Sequence, residues 1–328
     1  MYNLDFFPHI KEIDWLNDKT LAKILSQLPK KVLLVHSNWA LREGHVDRFL
    51  KNSKKSEIIS YLLEGEPEYS KIVESFSWID DYSLIIGIGS GNVMDFCKIL
   101  SAAFKNHEDF NQSIYGVATK VKQVQKHKKL WLFPSHYSSS SWISKSLVFQ
   151  RDDYKVSCFG AGLIADKVLI DPMVLESISQ EDWLEKSFDC FAHFYEVYQS
   201  LKNKDPFYQS TLLGWYQKFY ESVDQKDYKN LFFLASFLFS GFIEMDKVEW
   251  PIHIKSHAYG PRLKLSHTQS LLIQDKSFED SSINFRELYG ELFRKYSNIS
   301  ERLDQKSIQK LDELALQMNP RSMSYKQN

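Results

Sequence analysis

Residues able to hold a metal ion gather in the second half of the chain. Asp189 and His193 stand four apart in Phe188-Asp189-Cys190-Phe191-Ala192-His193-Phe194-Tyr195-Glu196, a spacing that puts a carboxylate and an imidazole on one face of a helix. Downstream, three of the ten histidines fall close together: His253, His257 and His267. An HxxxH pair can bind zinc from one helix, but Ile254 stands where HExxH hydrolases carry their glutamate base, so the metalloprotease reading is lost. Asp189 and His193 with two of the later histidines would supply one oxygen and three nitrogens, a donor set suited to Zn(II) or Fe(II). Spacing alone leaves open which two.

A second chemistry-bearing stretch lies in the first half. Tyr82-Ser83-Leu84-Ile85-Ile86 reads as a buried strand running into Gly87-Ile88-Gly89-Ser90-Gly91-Asn92, and Val93–Leu100 has the spacing of an amphipathic helix. Glycines let a backbone approach a phosphate, and the helix N-terminus offers unpaired N–H groups and the positive end of the dipole. The spacing is neither GxGxxG nor a P-loop, and a turn that only packs helix on strand has the same composition. After another apolar run, Leu130–Phe133, comes Pro134-Ser135-His136-Tyr137-Ser138-Ser139-Ser140-Ser141-Trp142. Its hydroxyls suit phosphate or sugar oxygens, or equally a solvated loop.

The elements that must position these residues differ between the halves. A capped helix is expected over 17–27, a buried strand over Lys31–His36, a helix over 42–51, a strand over 57–63 and a helix from the Glu64-Gly65-Glu66-Pro67 turn to about Phe76. This alternation is that of a parallel α/β sheet. Runs at 146–150 and 168–170 around Lys155 add β-type segments, and Asp171-Pro172 marks a stop and a new helix. Beyond it helical periods dominate: 182–201, 206–223, 228–245, 285–296 and 306–317. The expectation is an α/β nucleotide-binding Rossmann-like domain over 1–171 and an all-helical metal-binding catalytic domain over 172–328, closely packed around a cleft because no linker separates them.

Composition sets outer bounds. The chain has 328 residues, 43% of them apolar, enough for a sizeable core. With 41 basic and 42 acidic residues and a formal net charge of -1, nothing draws it to nucleic acid or anionic membranes. Small-molecule chemistry is the expectation. Cys97, Cys158 and Cys190 are odd in number and far apart, unlike a disulfide framework, and fit a reducing cytoplasm. The first residues lack a signal peptide's basic start and apolar core. The longest apolar run, 231–243, is interrupted by Ser236, Ser240 and Gly241 and is too short to span a bilayer, so it reads as a buried core helix.

These motifs together resemble the iron-containing, group III alcohol dehydrogenases, in the superfamily that includes glycerol-1-phosphate dehydrogenase and dehydroquinate synthase. Gly87–Lys98 is similar to that family's GGGSxxDxxK turn, with Asp95 and Lys98 at matching spacing. Residues 134–144 stand in the place of PTTAGTGSEVT, Lys155 matches the lysine that follows, and Asp171-Pro172 the DP ending the first domain. Asp189–Glu196 resembles DAxxHxxE, which carries two metal ligands; His253, His257, Gly260 and His267 fit HxxxHxxG…H; Asn319-Pro320-Arg321 resembles the NPR near the C-terminus. The resemblance implies that Asp189, His193, His253 and His267 bind the metal and that His257 and Lys155 lie near the substrate. It also implies that Ser37, Gly89, Ser90, Gly91, Asn92, Asp95, Ser135, His136 and Ser139 line the nucleotide site, and family members often form dimers.

Departures fall mainly on the cofactor side. Ser138 and Ser140 replace glycines, Trp142 replaces a glutamate, and Thr268 stands where glycine usually follows the last ligand. Ser37 takes the place of the acid that would hold an adenosine ribose, weakening discrimination between NAD and NADP. The leading expectation is a metal-dependent NAD(P) oxidoreductase interconverting an alcohol and an aldehyde or ketone, on a polar or sugar-like substrate. Two rivals remain. One is a cyclase or lyase like dehydroquinate synthase, using NAD transiently; the other is a non-catalytic relative with an altered cofactor loop.

Overall fold

The computed structural model describes residues 13–53, 56–102, 110, 128–242, 248–278, 283–301 and 305–318; the Asn319-Pro320-Arg321 motif lies outside them. Contacts divide the chain into two units, Met1–Asp152 with Ser157–Ile178, and Asp153–Val156 with Ser179–Asn328.

Eight strands occur among the described residues: β1 (Ile13–Trp15), β2 (Lys31–His36), β3 (Glu57–Leu62), β4 (Leu84–Gly89), β5 (Lys129–Pro134), β6 (Ser146–Arg151), β7 (Tyr154–Phe159) and β8 (Lys167–Ile170). Six form one sheet in the order β1-β8-β5-β4-β2-β3, with every pairing parallel. The expected parallel α/β architecture is thus present. Strands flanked on both sides bury both faces, which is why β2 and β4 are unbroken apolar runs, Val32–Val35 and Leu84–Ile86. At the edge, β3 leaves Ile59 and Leu62 exposed. Helices α1 (Asp18–Leu25), α2 (Asn38–Arg42), α3 (His45–Asn52), α4 (Tyr69–Ser75), α5 (Gly91–Ser101) and α6 (Pro172–Glu176) belong to the same unit.

One boundary differs from the sequence expectation in a way that bears on the site. The strand expected to end at Ile86 runs on to Gly89, and the helix expected from Val93 begins at Gly91. Gly87 and Gly89 pair with Leu132 and Pro134 inside the ladder. A Cβ on Gly87 would lie 2.8 Å from Cys97 Sγ, so this glycine brings α5 against its strand. The grouping also keeps α6 with the sheet unit. Asp171 caps α6 through the Met173 N–H at 3.1 Å and pairs with Arg48 of α3, tying Pro172–Glu176 to the residues before it.

The second unit is helical: α7 (Gln180–Leu201), α8 (Pro206–Asp224), α9 (Tyr228–Gly241), α10 (Pro251–Leu263), α11 (His267–Leu272), α12 (Phe285–Glu301) and α13 (Gln305–Met318). Its core is aromatic. Phe188 meets Phe278, Tyr289 and Phe293 edge-on at 5.1–5.2 Å, an arrangement that aromatic quadrupoles favour. Of the apolar run 231–243, residues 231–241 lie in α9, which buries Leu231, Phe232, Leu234, Ala235 and Leu238. No described helix is long and apolar enough to cross a membrane. All three cysteines are buried free thiols.

Candidate metal centre

Helix α7 starts at a well-formed cap, with Ser179 Oγ accepting the Asp182 N–H at 3.1 Å. It then presents Asp189, His193 and Glu196 at i, i+4 and i+7, one face of the helix. Asp189, His193 and His253 of α10 each offer a donor atom, all within 4.8 Å of one another. His267, the first residue of α11, joins them. Its Nε2 stands 3.4 Å from Asp189 Oδ1, as His253 Nε2 does at 3.5 Å and His193 Nδ1 at 3.4 Å. The three expected imidazole ligands therefore converge on one carboxylate oxygen of the fourth, Asp189.

The far nitrogens of two rings are tied down: His267 Nδ1 is 3.2 Å from Ser256 Oγ and His253 Nδ1 contacts Glu196 Oε2, while the His193 Nδ1 that faces Asp189 Oδ1 also lies 2.9 Å from the Asp189 carbonyl. Ser256 donates its own proton to the His253 carbonyl at 2.7 Å, so its oxygen faces His267 as an acceptor. A ring that donates from Nδ1 keeps its Nε2 lone pair for a metal. Meanwhile Asp189 Oδ1 and His253 Nε2 are buried with no hydrogen-bond partner among the described residues. Buried polar atoms are normally satisfied, and a cation between these two would satisfy both. The residues fit a divalent metal.

Charges follow the same logic. Burial alone would raise the Asp189 carboxyl, but His267 and the other two imidazoles overcome it and hold the group well below the usual carboxylate range. Burial would lower His253, yet Glu196 and Asp189 lift it to about 9. His267 is lowered by burial despite Asp189. His257 lies beside His267, ring centroids 5.7 Å apart. Burial, His267, Lys155 and His253 together keep it well below its ordinary value, so it is a neutral imidazole at neutral pH. Lys155, itself buried, acts on both His257 and His267. The second unit thus brings Lys155 and His257 to the four ligands.

Glu196 belongs to this centre although the sequence reading assigned it no role. Its Oε1 accepts the N–H of Ile252 at 2.6 Å and of His253 at 3.3 Å, and its Oε2 meets His253 Nδ1. The signal was present in its position seven residues after Asp189 on the same face. Phe239 and Trp250, edge-on to His193 at 5.2 and 5.7 Å, were also missed.

In the sheet unit, the expected nucleotide residues gather at the C-terminal ends of the strands. The chain goes from β3 back past β2 to β4 and then outward to β5, which makes the crevice outside β2 and β4 the switch point of the sheet. There α5 begins with no side-chain cap after Ser90, leaving first-turn N–H groups available to an anion. Asn92 Nδ2 donates to the Gly65 carbonyl at 3.2 Å, and the Ser135 N–H to the Gly89 carbonyl at 2.8 Å. Ser37 Oγ accepts the Ala40 N–H as the cap of α2. Ser139 Oγ would lie 2.6 Å from a Cβ on Gly91, so the bare Gly91 Cα admits the serine loop.

Other members of the set face inward. Asp95 accepts the Val148 N–H at 3.0 Å, and burial pushes its carboxyl up to about 6 against the pull of Lys98. Lys98 donates to the Ser144 and Ser146 carbonyls at 2.9 and 2.6 Å. Both clasp β6. His136 Nδ1 accepts the Ser138 N–H at 3.1 Å, and the ring stacks on Tyr137 at 4.3 Å. Trp142 is buried, with Nε1 donating to the Tyr137 carbonyl at 3.0 Å.

Residues 17–172 match the family model for iron-containing alcohol dehydrogenase. No curated protein matches the chain in sequence. Among solved structures it is similar to NADH-dependent butanol dehydrogenase A from Thermotoga maritima, at 16% identity and a TM-score of 0.70 over 94% of this chain and 83% of that one. It is likewise similar to an iron-containing alcohol dehydrogenase from Thermococcus thioreducens, at 19% identity and a TM-score of 0.63 over 94% and 84%. A sulfoacetaldehyde reductase from Bifidobacterium kashiwanohense, solved with NAD+, matches at 13% identity and 0.63 over 95% and 84%. At these identities the likeness is one of fold, and the fold expected from the motifs is the one found.

Proposed function

We propose, from the match of residues 17–172 to the iron-containing alcohol dehydrogenase model and the fold shared with solved structures of that kind, a divalent-metal-dependent, NAD(P)-linked oxidoreductase interconverting an alcohol and an aldehyde or ketone. The observation that carries it is the convergence of three imidazole nitrogens on the buried Asp189 Oδ1. Asp189, His193, His253 and His267 would hold Fe(II) or Zn(II). Bound there, the ion would supply a Lewis acid toward the substrate oxygen, and the nicotinamide the acceptor or donor of hydride.

The chain's own residues do the rest. Glu196 and Ser256 keep ring nitrogens turned inward. His257, neutral because burial and its cationic neighbours keep it so, can accept a hydrogen bond from an alcohol hydroxyl and take its proton onward. Lys155 sets the positive field around it and can orient a polar substrate group. At the sheet, the uncapped first turn of α5 with Ser90, Gly91 and Asn92 would receive the pyrophosphate. The serine loop favours a polar, sugar-like substrate. Names carrying NADH or NAD+ among the similar structures favour NAD.

The test is to load the protein with Fe(II) or Zn(II), supply NAD(H) or NADP(H) with a panel of alcohols and aldehydes, and follow reduced-nicotinamide absorbance. Turnover of a polar pair is expected, and silence across the panel would overturn the reading. One observation favours a second reading: Ser139 sits against Gly91 on the face a phosphate would approach. A relative that holds metal but no nucleotide would show no NAD(P)H fluorescence enhancement while metal stays bound.

A further inference from the structure

We infer that Glu196 is the positioning residue of the metal centre, fixing through one carboxylate both the tautomer of His253 and the helical turn that carries it. The inference rests on the metal reading proposed above and adds to it a residue outside the ligand set.

Helix α10 begins at Pro251, which has no N–H, and Trp250 before it provides no side-chain cap. The first main-chain donors are therefore those of Ile252 and His253. Both go to Glu196 Oε1, at 2.6 and 3.3 Å. A carboxylate from α7 does across 56 residues what a local cap does in other helices. Its second oxygen, Oε2, takes the Nδ1–H of His253. Ring and turn are thus held by the same group, itself only 2% exposed. With Nδ1 as donor, it is His253 Nε2 that faces Asp189 Oδ1, 3.5 Å away, and that would give its lone pair to a metal once its own proton is displaced.

Replacing Glu196 by glutamine keeps the shape and inverts part of the chemistry. An amide has one acceptor oxygen and one donor NH2, whereas this position must accept three N–H groups. With the oxygen toward the main chain, the NH2 faces Nδ1. The ring then does best as the Nε2–H tautomer, whose lone pair points away from the ligand cluster. Loss of such a supporting carboxylate typically weakens metal binding 10–100-fold.

A merely structural cap would behave differently, and Ser179→Ala provides the comparison because it loosens the start of α7 without touching the centre. The experiment measures Zn2+ affinity by chelator competition, and apo melting temperature, for wild type, E196Q and S179A. Expected are a roughly 10–100-fold weaker affinity for E196Q and an unchanged one for S179A. E196Q binding as tightly as wild type, or S179A weakening equally, overturns the inference. Should E196Q fail to fold, histidine-labelled wild type loaded with Zn2+ decides it by nitrogen NMR. A proton on His253 Nδ1 supports the role; a proton on Nε2, or metal at Nδ1, refutes it. A wild-type chain that takes up no Zn2+ removes the metal reading itself, which E196Q matching a metal-loaded wild type would leave standing.

Discussion

At the scale of single residues, two of the proposed ligand histidines, His253 and His267, are shifted in opposite directions, and this sets how the proposed metal binding should depend on pH. Burial pulls His253 down, but Glu196 and Asp189 raise it to about 9; Asp189 is held ionised and His267 is lowered. In the metal-free chain His253 is therefore protonated at pH 7, and an ion entering at Nε2 must displace that proton. Zn2+ affinity should rise roughly tenfold per pH unit toward about 9 and flatten above it. Isothermal titration in buffers of different ionisation heat would count the released proton. The sign for metal-free stability is opposite: the raised histidine stabilises fully below its ordinary value near 6.5 and loses that contribution as pH climbs through about 9. Removing a ligand is the direct check. Asp189→Ala and His267→Ala should each abolish stoichiometric metal by elemental analysis, and unchanged content in both would sink the site. Gly91→Ala tests the other unit. A Cβ 2.6 Å from Ser139 Oγ should cost about 1–3 kcal/mol in urea unfolding, whereas Gly214→Ala, with open space around it, should be neutral or gain up to about 1 kcal/mol.

At the scale of elements, what the sequence disclosed follows from what each element buries. Strands β2, β4 and β5 were legible because parallel strands covered on both faces are unbroken apolar runs. Strand β1 was not, since Ile13-Asp14-Trp15 is too short to show a period. The end of β4 was misplaced because glycine reads as a turn, while Gly87 and Gly89 serve in the ladder beside Cys97 and Val93. Helix α7 was legible in its proposed ligands, Asp189 and His193, whose i, i+4 spacing is local. The grip of Glu196 on α10 was not, because it arises where two helices far apart in sequence meet. The same helix carries an energetic prediction. Phe191 is fully buried against Tyr289, Phe278, Phe285 and Tyr216, so Phe191→Ala should cost about 3–5 kcal/mol by chemical denaturation. Phe207, 69% exposed, should change by less than about 0.5 kcal/mol when replaced by alanine.

At the scale of the whole molecule, the proposed ligands fall on different units, and this separates the catalytic reading from its rival without any turnover assay. Asp189, His193, His253 and His267 all belong to the helical unit, and Ser90, Gly91 and Asn92 to the sheet unit. A ligand present at a hundred times its dissociation constant stabilises what it binds by about 2.7 kcal/mol. For a unit of this size that is roughly 5–10 °C in melting temperature. Zn2+ should therefore raise the transition of the helical unit and slow amide exchange in the first turn of α10, and a chelator should reverse both. NADH should do the same for the sheet unit, with protection at the start of α5, whose first turn has no side-chain cap. Both effects together are what an NAD(P)-linked oxidoreductase requires. Metal protection of α10 with no response at α5 to millimolar NADH or NADPH would mean that the serine loop has closed the phosphate approach beside Gly91, leaving a metal-binding protein on a dehydrogenase fold.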